Sequence, residues 1–170
     1  MRKITAHYVF LDGRLVPDVV VAFGDDARVA GIERSQRRDG MCGVEFYSGI
    51  LIPGMILPSA DWSACRDVDF VRARLWSDGV QAVGEIRGSE PPLDMERLTF
   101  SHTVNLLMER YGDDVCGLAD AATRRGACLI GQRDALGGFR PAAECGAVLL
   151  TGADYPSMRL TASAATVRIV

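Results

Sequence analysis

Between Ile4 and Ile52 the apolar positions fall in short runs separated by turn residues. Residues 4–11 end at Asp12-Gly13, residues 14–23 end at Gly24-Asp25-Asp26, and residues 28–33 follow. An Asp-Gly pair between apolar runs supplies the left-handed backbone that matches strand twist, so this spacing predicts a hairpin inside a β-meander. Residues 34–43 are polar and glycine-containing and read as a loop. The next apolar run, from Val44, is a strand that stops at the punctuation of Pro53-Gly54.

The period then changes. Phe70, Val71, Arg74 and Leu75 stand at helical offsets within 68–77, Asp67 or Asp69 is placed to cap the start, and Gly79 to stop it. Residues 80–86 form a short apolar strand, which completes one βαβ unit. Residues 88–92 break the pattern. Leu98, Val104, Leu107 and Met108 predict a helix over 93–111, and Leu118, Ala121, Ala122 and Arg125 a second over 115–129. After Gly137-Gly138 the chain returns to strands at 147–150, 158–160 and 166–170.

Composition narrows the class. With 170 residues, 48% hydrophobic and 24% charged, the chain is long enough for one domain with a proper core. A net charge of −3 and arginines scattered rather than striped give no field for phosphate backbones, so nucleic acid is not an expected partner. The start lacks the apolar core of a signal peptide, and nowhere is there an apolar run of about 18 residues. A soluble, cytoplasmic protein with no membrane segment is expected. Cys42, Cys65, Cys116, Cys128 and Cys145 are odd in number and contain no C-x-x-C pair, which favours buried thiols over a disulfide framework or zinc knuckle.

Three separated segments carry a resemblance, in order along the chain. The strand leading into Ile50-Leu51-Ile52-Pro53-Gly54-Met55 is similar to the start of the amidohydrolase (metal-dependent hydrolase) superfamily barrel. Residues 118–131 resemble that family's last barrel helix. Leu136-Gly137-Gly138-Phe139-Arg140-Pro141 and Ala147-Val148-Leu149-Leu150 resemble its return into the small sandwich. The resemblance implies an α+β fold with a composite β-sandwich built from both termini, residues 1–52 together with 137–170. Residues 53–136 would then be a βαβ and helical remnant of a truncated TIM barrel, with 67–85 as its first helix and second strand.

The departures from that family decide the expected function. Its members carry an H-x-H pair soon after the Pro-Gly turn, where two imidazoles at alternate strand positions share a metal. Here Ser59 and Asp61 stand in those places, and the chain holds only two histidines, His7 and His102. Gly146-Ala147 replaces the acidic residue that precedes the family's final strand. A full barrel takes about 250 residues, so most of it is missing, with the seam expected in 88–92. No metal and no cofactor are expected. The expectation is a degenerate amidohydrolase-like pseudoenzyme acting as a non-catalytic binding or interaction protein. The alternative is a hydrolase of non-peptide carbon-nitrogen bonds with a rebuilt or intersubunit site.

Ser59, Asp61 and Glu85, with Glu90 nearby, form the candidate pocket at the strand ends of the βαβ unit, solvated loop carboxylates being the competing explanation. Ser101-His102 beside Glu96 is a weaker candidate for an activated nucleophile. Gly24-Asp25-Asp26 is explained as a turn before a cation site, and Arg124-Arg125 as helix-end cations before an anion site. Losing a barrel leaves a parallel edge at 50–57 and 80–86 that something must cover. The two helices are one candidate cover. A second copy is the other, and a homodimer is expected, with Trp62, Phe70, Trp76 and Phe100 as anchors unless these aromatics simply fill the core. A full-length relative or a small molecule are the further partners considered.

Overall fold

The computed structural model describes residues 1–34, 43–84 and 91–170. Cys42, Glu85, Glu90, most of the expected loop after Arg34 and most of the expected seam lie outside the described residues. The fold is α+β.

Five strands come from the first part of the chain: β1 (Arg2–Leu11), β2 (Arg14–Val16), β3 (Val19–Phe23), β4 (Val29–Arg34) and β5 (Val44–Ile52). Two come from the last part, β10 (Val148–Asp154) and β11 (Arg159–Arg168). All seven join in one sheet of order β11-β10-β5-β1-β3-β4, with β2 paired to β1. The Asp12-Gly13 hairpin forms as the sequence predicts. Leu11 pairs with Arg14, and both loop residues take positive φ, 47° and 83°, which only a two-residue primed turn requires. β5 runs parallel to β1 and antiparallel to β10, so the two ends of the chain meet across it.

The second half of β5 is buried on both faces. Ile50 and Ile52 enter the larger cluster beneath the helices, with Leu75, Leu107 and Leu118. Leu51 points the other way into a smaller cluster with Ile4, Val21, Phe23 and Phe139. Alternation along a strand produces this split.

Beyond Pro53 the chain makes β6 (Met55–Leu57), β7 (Ala60–Asp61), α1 (Val68–Asp78) and β8 (Val80–Val83). β6 and β8 are parallel and α1 connects them, giving the expected βαβ unit. Asp67 caps α1 by accepting from the Phe70 amide at 2.9 Å. Gly79 ends it at φ 91°, and a Cβ there would sit 2.2 Å from Val148 Cγ2, so both backbone sign and space demand glycine.

The helix expected over 93–111 is corrected. Its first residues form a two-residue strand β9 (Leu93–Asp94), parallel to β7, and then a 3-10 turn (Met95–Thr99). Only α2 (Thr103–Tyr111) is α-helical. Asp94 turns the chain by accepting from the Glu96 amide, and Met95 and Leu98 are buried at a spacing that a 3-10 turn satisfies as well as an α-helix. The second predicted helix is one helical run, α3 (Val115–Asp120), a π-turn (Ala121–Arg125) and α4 (Gly126–Leu129). It packs on β6, where a Cβ at Gly126 would lie 2.9 Å from the Ile56 carbonyl oxygen. The strands at the end of the chain are longer than predicted: the two pieces expected at 158–160 and 166–170 are spanned by the single strand β11, Arg159–Arg168.

Candidate functional site

The two-stranded sheet of β6 and β8 has nothing paired to the outer side of β8 among the described residues. A cleft of about 320 Å³ lies there, lined by Trp62, Arg72, Leu75, Trp76 and residues 80–84. All four β8 residues and the adjoining Gly84 line it. A cleft over a strand's face would touch alternate residues, so this one runs along the edge.

Helix α1 sets the composition of the opposite wall. At about 100° per residue, Val71, Leu75 and Asp78 form the buried stripe. Arg72 and Trp76 flank that stripe on one side and Phe70 and Arg74 on the other. The four aromatics expected to anchor a partner are therefore divided. Trp62 and Trp76 line the cleft, and Phe70 and Phe100 do not. Three of the four stand outside the core, Phe70 43% exposed, Trp76 62% and Phe100 86%, whereas half-buried Trp62 packs against the main cluster.

Each cleft tryptophan carries an arginine. The Arg72 guanidinium carbon lies 5.9 Å from the Trp62 ring centroid, and that of Arg168 lies 3.6 Å from the Trp76 ring. Arg168 reaches over from the end of β11, donating from Nε to the Trp76 carbonyl and from Nη2 to the Val80 carbonyl, both at 2.9 Å. Burial holds its pKa below the ordinary arginine value. Among the described residues neither arginine pairs with a carboxylate.

The candidate pocket residues lie elsewhere. Ser59 and Asp61 are not in the cleft lining, and Glu85 is outside the described residues. The Ser59 carbonyl accepts from Leu93, and exposed Asp61 accepts from the Ser63 amide at 2.9 Å. Hydrogen bonds from Ser63 hold the Asp61 carboxyl below its usual pKa, as expected of a turn carboxylate. Ser101-His102 does not meet Glu96, whose carboxylate accepts from the Arg66 amide.

His102 instead stands at the start of α2 beside Asp78, a carboxylate only 3% exposed. Asp78 Oδ2 accepts from the Thr103 amide at 2.8 Å, and its Oδ1 lies 3.4 Å from His102 Nδ1, which is also 3.2 Å from Arg74 Nη1. The buried carboxylate thus satisfies the first turn of α2 from 25 residues away. Sequence reasoning missed it, because position 78 reads only as a polar helix end before Gly79.

Other candidates resolve as structure. Asp25 accepts from the Met1 amino group and Asp26 from the Arg28 amide, around a turn closed by Gly24. Arg124 donates to Asp120, and Arg125 is engaged as well. Cys145 is buried, which pushes its thiol up to about 12, and burial raises Cys65 and Cys116 too, so none of the three is a ready thiolate. Among the described residues no three His, Cys, Asp or Glu side chains converge as a metal would need.

No helix among the described residues is long and apolar enough to cross a membrane. No protein-family model matches the chain, and no curated protein matches it. Among solved structures, the aminofutalosine deaminase of Helicobacter pylori is similar over 49% of this chain and 27% of that one, at 16% identity and a TM-score of 0.39.

Proposed function

We propose that this chain is a non-catalytic interaction protein of amidohydrolase ancestry that accepts a partner chain along the outer edge of β8. The ancestry rests on the ordered motifs around Ile50-Leu51-Ile52-Pro53-Gly54-Met55, residues 118–131 and Leu136-Gly137-Gly138-Phe139-Arg140-Pro141. In this reading the large sheet is what remains of the composite sandwich, and β6-α1-β8 is what remains of the barrel.

The observation that carries the interaction reading is the character of the open edge. Edge strands are normally blunted by charge. The outer strands of the large sheet follow that rule, with Glu33 and Arg34 on β4 and Arg159 and Arg168 at the ends of β11. The β8 strand, Val80-Gln81-Ala82-Val83, has no charged residue and is flanked by two tryptophans. An uncharged edge beside exposed aromatics suits β-strand addition, in which main-chain hydrogen bonds supply affinity and flanking pockets supply selectivity.

Trp62 and Trp76 are the only tryptophans of the chain, so intrinsic tryptophan emission reports on this cleft alone. Titration with strand-forming octapeptides, alongside elemental analysis of the dialysed protein, tests the reading. A saturable emission shift without stoichiometric metal is expected. Stoichiometric zinc, iron or manganese would contradict the non-catalytic part, and unchanged emission would contradict the edge part.

A further inference from the structure

We propose that the occupant of the β8 edge is an extended peptide segment bearing acidic side chains, with Arg72 as the carboxylate's partner. The inference rests on the reading of the cleft as a chain-accepting edge and adds the chemistry of the chain it accepts.

Charge carries it. The described residues lining the cleft include one cation, Arg72, and no carboxylate. Arg72 is exposed and makes no ion pair among the described residues; its one recorded contact is the Trp62 ring. Arg168, at the rim, spends its donors on two carbonyl oxygens and its guanidinium face on Trp76. Two positive charges thus stand beside an uncharged strand edge, with no carboxylate paired to either among the described residues. Three other surface arginines are answered by carboxylates: Arg2 by Glu45, Arg97 by Glu109, Arg159 by Asp113. A carboxylate arriving at the cleft gains charge-assisted hydrogen bonds in a site partly sheltered by indole rings.

The geometry selects an extended chain. Side chains of an added strand alternate, so one set faces α1, where Trp62 and Trp76 offer flat apolar surface and Arg72 lies between them in sequence. Apolar and acidic positions in alternation answer that wall. A second copy of this chain is a poor occupant. Pairing two β8 edges about a twofold axis brings Arg72 and Arg168 toward their own counterparts, and like charges placed together at an interface oppose association.

The test uses the full chain and three acetylated octapeptides in which valine alternates with glutamate, glutamine or lysine, read by tryptophan emission at low salt. The glutamate peptide is expected to bind, the glutamine peptide at least about tenfold more weakly, and the lysine peptide more weakly still. Arg72→Gln is expected to abolish the preference for glutamate over glutamine, and Arg72→Lys to retain most of it. Equal binding of the glutamate and glutamine peptides would overturn the acidic assignment while leaving the edge reading in place. Failure of all three peptides to bind would overturn both.

Discussion

The two sheets treat their exposed backbone differently. In the large sheet the ends of the chain are tied together across β5, where Arg2 bridges Glu45, the Tyr47 hydroxyl and the Ile169 carbonyl. In the small one, the helical run over 115–129 packs on β6, while among the described residues a cleft and no strand borders the outer side of β8. Edge chemistry follows the same division: charged at β4 and β11, uncharged at β8. Under the proposed function, the large sheet is the stable frame and the uncharged β8 edge the contact surface.

Substitutions separate those roles. Ile52→Ala removes a fully buried side chain shared by β5 and the main cluster, and is expected to cost about 2–5 kcal/mol in urea unfolding. A loss under about 1 kcal/mol would mean that β5 is not the centre of the core. Gly79→Ala puts a Cβ against Val148 at positive φ, coupling the small unit to the large sheet, with an expected cost of about 1–3 kcal/mol in the same assay.

The latch at Arg2 gives a pH test. The Arg2 guanidinium, with help from the Tyr47 hydroxyl, lowers Glu45 from its ordinary 4.5 to about 2. A depressed folded-state pKa means that the stabilisation is fully present above 4.5 and is lost as pH falls from there toward about 2. Glu45→Gln is therefore expected to lower the melting temperature at neutral pH and to flatten the acid limb in that window. An acid limb unchanged by the substitution would remove the latch from the account.

The smallest stability effect is expected at the cleft. Trp76→Ala, at a residue 62% exposed, is expected to change unfolding free energy by no more than about 0.5 kcal/mol while weakening peptide binding. A large loss of stability would place Trp76 with the core.

Local signals were legible from sequence wherever one residue type has one conformational use. Asp12-Gly13 specified its turn and Gly79 its helix end, while the cap was narrowed to Asp67 or Asp69, of which Asp67 makes it. The failures share a different cause. Met95, Leu98, Val104 and Leu107 fit a helical period across 93–111, but nothing local showed that Asp94 would bend the chain or that Asp78, distant in sequence, would start α2 at Thr103. β11 was read as two pieces because Thr161, Ser163 and Ala165 carry little apolar signal on a largely exposed strand. Of the four aromatics, Phe70, Trp76 and Phe100 are exposed and Trp62 packs against the core, a division that the sequence does not show. The cations of the cleft were missed because Arg72 and Arg168 stand 96 positions apart in sequence and are joined only through β11.

The central claim is that the outer edge of β8 is an open docking edge. Amide hydrogen exchange along residues 81–83, compared with Ile50–Ile52 of β5 and repeated with the alternating valine-glutamate octapeptide, tests it most directly. The account predicts weak protection, in the protein alone, of the β8 amides that point away from β6, protection gained there on adding the peptide, and β5 protected throughout. Strong protection of all β8 amides without peptide, or none gained with it, would contradict the claim.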